Sequence, residues 1–256
     1  ALLSTYIEMF STGMAKRWDK RIYIDLYSGP GCTEVRETVS WLKGSPLLAL
    51  SVKDPFDKYI FCEEDATKLT ALETRVSKHF SQLDVAFVQG DCNSNVAKIL
   101  AAIPKHSKGQ TVLSFCFVDP FSLNLQFRTI QALGAKYVDF LVLLALDMDA
   151  RRNLGHYIRP SNNKIDLLLG LADWRDRWRI FLRTDNSFQR FLAHEFEGQM
   201  LSLGYRKHPK GNTRHISTLD RNLPLYHLAF FSRHPRGYTF WDECLKYSSQ
   251  QQSFEF

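Results

Sequence analysis

Five short apolar runs in the first 150 residues each finish at or beside an acidic residue. Asp25 lies within the first run, and Glu63, Asp91, Asp119 and Asp147 follow the others. Carboxylates are rarely buried without partners, so this repetition points to one ligand-bearing edge rather than to packing. The first acid leads into Leu26, Tyr27, Ser28, Gly29, Pro30 and Gly31. Glycines at a strand end let the backbone pass close to a ligand, although a plain strand-to-helix turn uses them too. The spacing is neither the G-x-G-x-x-G dinucleotide pattern nor a Walker lysine motif. Glu63 is placed to accept from two ribose hydroxyls, as the acid of a nucleoside-binding fold does. Asp91 is placed to accept from an adenine amino group. Asp119, Pro120 and Phe121 close the fourth run beside the same pocket, with Asp119 either orienting a substrate or capping the next helix. Glu64 and Asp65 read instead as helix N-terminal charge.

The same carboxylates allow a second chemistry. Asp25, Glu63, Glu64, Asp91 and Asp119 converge on one sheet edge, and such a cluster can hold Mg²⁺ or Mn²⁺ for phosphodiester cleavage. The eight histidines show no HExxH or comparable ligand spacing, and Ser28 lacks a nucleophile-elbow context.

Basic residues concentrate late in the chain. Residues 1–150 hold 16 Lys and Arg against 17 Asp and Glu, whereas residues 151–256 hold 17 against 10. Arginine rises from five to thirteen across that boundary, and its planar fork suits phosphate. Two clusters are candidates for nucleic acid. In one, Trp174 and Trp178 stand four apart with Arg175 and Arg179 on the neighbouring helix face. The bland reading docks those tryptophans on the sheet. In the other, Arg206, Lys207, His208, Lys210, Arg214 and His215 surround a hairpin loop, either tracking phosphates or simply solvated.

The elements that must position these residues alternate strand and helix. The runs at Ile22–Tyr27, Tyr59–Cys62, Val85–Val88, Val112–Val118 and Val138–Leu146 are apolar throughout, as expected of strands buried on both faces. Helices are expected at the start of the chain, at Ser45–Val52, about 65–80, around Val96–Leu100 and near Gln126–Leu133. This order gives an α/β fold, a doubly wound, mostly parallel sheet. Late strands at 204–208 and 225–232, joined by a loop with Lys210, Gly211 and Asn212, append an antiparallel hairpin. A helical insertion occupies about 150–203 of a single domain spanning 1–256. Cys32 to Lys43 forms an insertion over the pocket, either a lid or a block.

With 45% hydrophobic residues and no low-complexity stretch, the composition excludes a disordered or fibrous protein. The longest apolar run is about half of a membrane span and is interrupted by Asp139. Five cysteines without a CxxC pair fit the reducing cytosol better than a disulfide framework or a zinc site. No leader segment is evident at the start, so a cytoplasmic protein is expected.

These pieces resemble the class I S-adenosylmethionine-dependent methyltransferase fold, a seven-stranded sheet whose last two strands form the hairpin. More narrowly, the chain is similar to the three-Cys-motif partner family. The matching pieces are Tyr23–Gly31, Gly44-Ser-Pro46, Gly90-Asp91, Phe117–Phe121, Pro224-Leu-Tyr226, Phe231–Gly237 and Trp241. The resemblance implies S-adenosylmethionine as cofactor. It places Asp25, Ser28, Gly29, Pro30 and Gly31 on the methionine side, Glu63 at the ribose, and Asp91 with Cys92 at the adenine. It also implies a three-cysteine protein, related to radical iron–sulfur enzymes, as neighbour and partner. Ser122 stands where the family tends to have glycine, and Asp119-Pro120 carries one proline where exocyclic-amine methyltransferases carry two.

Three functions follow for testing. The first is methyl transfer to nucleic acid, or to a substrate presented by a nucleic-acid-bound partner, with Asp119 orienting the acceptor. The second is a metal-dependent nuclease using Asp25, Glu63, Asp91 and Asp119. The third is a non-catalytic subunit of the three-cysteine protein. Oligomeric state is open.

Overall fold

The computed structural model describes residues 2–35, 40–150, 152–217 and 224–252; the side chains of 35–40, 148, 214–225 and 247–252 lie outside that description. In chain order the elements are α1 (Leu2–Met14), β1 (Lys20–Asp25), β2 (Cys32–Val35), β3 (Ser40–Lys43), α2 (Ser45–Leu50) and β4 (Lys58–Glu63). Then come α3 (Ala66–His79), β5 (Val85–Gln89), α4 (Val96–Ala102), β6 (Val112–Val118), α5 (Phe127–Gly134) and β7 (Val138–Leu144). After a π-helical turn at Leu146–Ala150 follow α6 (Leu154–Tyr157), α7 (Lys164–Leu169), α8 (Trp174–Phe181) and α9 (Phe188–Ser202). The chain closes with β8 (Thr213–Ser217), β9 (Pro224–Phe231) and α10 (Pro235–Gln252).

The main sheet has seven strands in the order β5-β4-β1-β6-β7-β9-β8. β1 pairs in parallel with both β4 and β6, and β4 with β5. β9 runs antiparallel to β7 and to β8. The expected doubly wound α/β sheet and terminal hairpin are therefore present. β6 is buried along its whole length, which explains why its sequence is apolar without alternation.

The chain groups into two compact units, where the sequence reading treats it as one domain. The first comprises 1–117, 137–139 and 234–256; the second comprises 118–136 and 140–233. In the first unit an aromatic core fills the space behind β1 and β6. Tyr6 and Phe10 of α1 lie 5.0 and 5.4 Å from the Phe115 ring, and Phe56 lies 5.6 Å from Tyr23. α1 and α10 pack closely because Gly13 has no side chain: a Cβ there would sit 2.7 Å from the Phe240 ring. The start of α3 is capped by Asp65, whose carboxylate accepts from the amides of Thr67 (2.8 Å) and Lys68 (3.1 Å).

In the second unit the expected helical insertion is α6 to α9. Trp174 and Trp178 are buried, as an amphipathic helix requires, but they dock on helices rather than on the sheet. Trp178 lies 5.2 Å from both Phe188 and Phe191 of α9. The hairpin needs correction as well. Residues 204–208 are not a strand; β8 begins only at Thr213, after a turn closed by the Gly211 amide on the His208 carbonyl. Buried Asn212 enforces this course by donating to the carbonyls of Arg206 (3.1 Å) and Phe230 (2.9 Å). Gly211 itself takes a left-handed conformation, φ +81°.

Candidate functional site

In the first unit, β1 delivers Asp25 to its carboxyl end fully buried. Its carboxylate accepts from the Tyr23 hydroxyl and the Tyr27 amide, each at 3.3 Å. Burial, reinforced by Asp25, raises the Tyr23 hydroxyl well above its ordinary range. The chain then turns through Ser28, Gly29, Pro30 and Gly31, with Gly29 at φ +61° and Gly31 at φ +85°. The two glycines differ in purpose. A Cβ on Gly31 would meet Leu72 at 2.8 Å and Leu47 at 3.2 Å, so this glycine serves packing. A Cβ on Gly29 would meet nothing within 4 Å, so this one borders open space.

Glu63 pins that loop from the end of β4. One carboxylate oxygen accepts from the Gly29 amide at 2.8 Å and the other from the Asp65 amide at 2.9 Å. Each oxygen keeps further lone-pair capacity for a ligand hydroxyl. Beneath the loop, the Ser28 hydroxyl is buried and has no hydrogen-bond partner among the described residues. A buried hydroxyl without a partner is costly unless a ligand or water completes it. The open Gly29 face, the unsatisfied Ser28 hydroxyl and the strand-end Glu63 together fit a nucleoside-bearing cofactor.

Asp91 follows the end of β5. It begins a tight turn into α4, accepting from the Asn93 amide (3.0 Å) and side chain (2.9 Å) on one oxygen and from the Ser94 hydroxyl (3.1 Å) on the other. Cys92 is buried beside it. Burial raises its thiol to about 11, against the opposing effect of the nearby Tyr27 hydroxyl.

The metal reading is corrected here. Among the described residues no group of three or more His, Cys, Asp or Glu is arranged to hold a metal. The physical reason is that each carboxylate is engaged by the fold: Asp25 and Asp91 accept from an amide and a hydroxyl close by in the chain, and Glu63 accepts from the Gly29 and Asp65 amides.

In the second unit, Asp119, Pro120 and Phe121 follow β6. Asp119 is open to solvent on one side, yet the protein mass on the others desolvates it and raises its carboxyl above the usual range. Phe121 is 84% exposed. Ser122 adopts φ +60°, among the described residues the one non-glycine with positive φ. Ser122 is held there by its hydroxyl, which donates to Asp149. Asp149 also accepts from Asn153 and from the Tyr157 hydroxyl, both at 2.6 Å. Burial pushes the Asp149 carboxyl up, but these hydrogen bonds outweigh it and hold it below its ordinary value. Sequence reasoning missed this support; the serine in a glycine position was its one signal. Asp147, the fifth strand-end acid, points to His227 instead, 3.0 Å away in a buried pair.

The predicted nucleic-acid residues fare unevenly. Arg175 is not available: it donates to Asp166 at 3.0 Å and to the carbonyls of Tyr157, Ile158, Arg159 and Asn162, and lies over the Trp174 ring. It ties the insertion together. Arg179 is exposed and paired with Asp176. Arg206, Lys207 and Lys210 are exposed, but they occupy the connection from α9 to β8 rather than the hairpin loop. Arg206 donates to the Arg233 carbonyl at 3.0 Å. The side chain of Arg214, like that of His215, lies outside the described residues.

The strand order, with an antiparallel ninth strand entering beside the seventh, is the sheet of the class I methyltransferases. The chain has a methyltransferase-like Rossmann fold. Protein LPL1258 from Legionella pneumophila, family-model DUF519, shares it over 99% of this chain and 91% of that one, at a TM-score of 0.59 and 13% identity. Cofactor-bound Rv0187 from MTB matches at 0.46 and 11% identity, over 91% of this chain and 81% of its own. The O-methyltransferase from Bacillus cereus in complex with SAH matches at 0.45 and 9%, over 89% and 80%. The last two overlays are too loose to bear on function. No family model matches the sequence, and no curated protein matches it either. No helix among the described residues is long and apolar enough to cross a membrane.

Proposed function

We propose that this protein is an S-adenosylmethionine-dependent methyltransferase acting on nucleic acid, or on a substrate held by a nucleic-acid-bound partner. The observation that carries the reading is the Ser28–Gly31 loop. Its Gly29 face is open, its Ser28 hydroxyl is unsatisfied, and its backbone is fixed by Glu63.

S-adenosylmethionine, when bound, supplies a methyl group already activated on a sulfonium, so the protein needs to contribute mainly proximity and alignment. Gly29 admits the cofactor to the backbone, Ser28 completes its hydrogen bonding, and Glu63 accepts from ribose hydroxyls. Asp91 and Cys92 border the adenine side. Asp119 orients the acceptor and receives the proton that the acceptor sheds, a role favoured by its raised carboxyl. Pro120 stiffens that turn, and exposed Phe121 offers a flat face to the acceptor.

The motifs shared with the three-Cys-motif partner family support a three-cysteine protein as partner. The five cysteines are all unpaired, which supports a reducing compartment such as the cytoplasm.

Calorimetric titration with S-adenosylmethionine tests the reading. Micromolar binding is expected, with a loss of tenfold or more in Glu63→Ala, which removes both the loop anchor and the ribose acceptors. Absence of binding to the wild type overturns the proposal.

A further inference from the structure

A groove in the second unit belongs to none of the residues singled out from the sequence. Its volume is about 560 Å³, within the range of roughly 300–1,000 Å³ that small-ligand sites occupy. Asn153, His156, Tyr157, Asn162, Asn163 and Lys164 line it, from α6 through the connection to the start of α7. We infer that this groove binds single-stranded nucleic acid and is where the methyl acceptor's chain is held. The inference deepens the proposed function and rests on it for the acceptor's role.

The lining chemistry favours nucleotides. Asn163 can offer both a donor and an acceptor, the pairing that reads base edges, Asn162 its NH₂ group, and Asn153 its carbonyl oxygen. The exposed His156 ring supplies a stacking face of the kind that single-stranded recognition uses. Asn163 starts α7 without using its side chain as a cap. The Asn162 carbonyl oxygen is taken by the Lys164 amide at 2.9 Å, which directs its NH₂ group away from that turn.

The electrostatics point the same way. No Asp or Glu lines the groove. Of the two nearest in the chain, Asp166 is paired with Arg175 and accepts from the Trp174 indole, while Asp149 keeps its charge but spends its oxygens on Ser122, Asn153 and Tyr157. The same connection carries Arg152 and Arg159, both exposed, in addition to Lys164. Arg175 contributes by architecture instead of contact. Its bonds to the carbonyls of Tyr157, Ile158, Arg159 and Asn162 fix the curved backbone that forms the groove wall. Finally, two lining residues reach the acceptor loop, because Asn153 and Tyr157 hold the Asp149 that holds Ser122, next to Phe121. A strand in this groove is thereby coupled to the turn that carries Asp119.

The test is fluorescence anisotropy with a labelled single-stranded oligoribonucleotide of mixed sequence, and its DNA counterpart, across a salt series. Two double variants are compared with wild type: His156→Ala with Asn163→Ala, and Arg152→Ser with Arg159→Ser. Neither touches the Asp149 cluster, and circular dichroism checks that each folds. The first is expected to weaken binding about tenfold by loss of stacking and base contacts. The second is expected to lower the slope of log affinity against log salt by about 1.4, at roughly 0.7 per phosphate contact. Lys207→Ser with Lys210→Ser should leave both quantities unchanged. S-adenosylmethionine titration runs in parallel on the same proteins. If the cofactor binds while the oligonucleotide does not, or binds equally to the groove variants, the groove inference is overturned and methyl transfer stands. Weakening by the Lys207 and Lys210 variant instead also overturns it. If groove-dependent oligonucleotide binding persists without cofactor binding, the groove inference stands and methyl transfer is overturned.

Discussion

Replacing Gly29 and Gly31 by alanine should separate ligand binding from stability within a single tripeptide. Both glycines have positive φ, so alanine at either position carries a backbone strain of about 1–2 kcal/mol. At Gly29 nothing lies within 4 Å of the new Cβ, so strain is the whole effect. A destabilisation of about 1.5 kcal/mol lowers Tm by roughly 5 °C in a chain of this size. At Gly31 the new Cβ meets Leu72 at 2.8 Å and Leu47 at 3.2 Å, both in the core side of the loop. Overpacking adds about 1–3 kcal/mol to the same strain. The sum lowers Tm by roughly 10 °C. Affinity should move the other way. The Gly29 methyl projects into the space assigned to the cofactor, and S-adenosylmethionine binding should fall tenfold or more. Gly31→Ala should retain affinity within a few fold at a temperature where it is folded. Differential scanning fluorimetry gives the Tm values and calorimetry the affinities. Wild-type affinity in Gly29→Ala would refute the assignment of that open face. Equal Tm losses would refute the packing role of Gly31.

Four other outcomes follow from the same geometry. Asp119→Asn should abolish methyl transfer while leaving cofactor affinity intact. Because the folded carboxyl is raised by desolvation, the wild-type rate should climb with pH over a range above the usual carboxylate titration, and the same group's contribution to stability should decline as pH rises through it; a flat rate profile would contradict the base role. At Ser122, substitution by glycine removes the strain of φ +60° and one hydrogen bond to Asp149, nearly cancelling, whereas Ser122→Val should destabilise by about 2–3 kcal/mol in thermal melts. Arg175→Ala should lose about 3 kcal/mol by stranding Asp166 and several carbonyls, measured by urea denaturation. Thiol titration of the native protein at pH 8 should find Cys32 reactive and Cys62, Cys92, Cys116 and Cys244 protected, since burial raises all four; release of five fast thiols would contradict the core.

The sheet was readable in the sequence because its strands are buried on both faces. β6, at Val112–Val118, has no polar face to present, so its composition alone reveals its place. The helices between strands follow the same logic, as does the cap at Asp65. The hairpin misled because polar residues flank both its strands. Gly204 and Tyr205 carry a strand-like pattern, yet Asn212 ties that stretch, through the Arg206 carbonyl, to the distant carbonyl of Phe230. The second bond depends on where Phe230 ends up, which no local pattern records.

The candidate site divides along the same line. Residue type and order place Asp25, the Ser28–Gly31 loop, Glu63, Asp91 and Asp119 at strand ends, because in a parallel sheet the sequence position of a strand's end fixes which edge it reaches. What each group does there was decided by packing in three dimensions. Gly29 and Gly31 are chemically identical, and only Leu47 and Leu72 make one a spacer and leave the other facing open space. Glu63 and Asp91 are both strand-end carboxylates, but one anchors the Ser28–Gly31 loop and the other closes its own turn. Arg175 reads as an ideal phosphate ligand and is instead consumed by Asp166 and four carbonyls. The sequence by itself determined which groups could do chemistry and on which edge they collect. Tertiary structure alone decided which of them still have hydrogen-bonding capacity to spend on a ligand, because a donor or acceptor satisfied by the fold has little left to gain from binding.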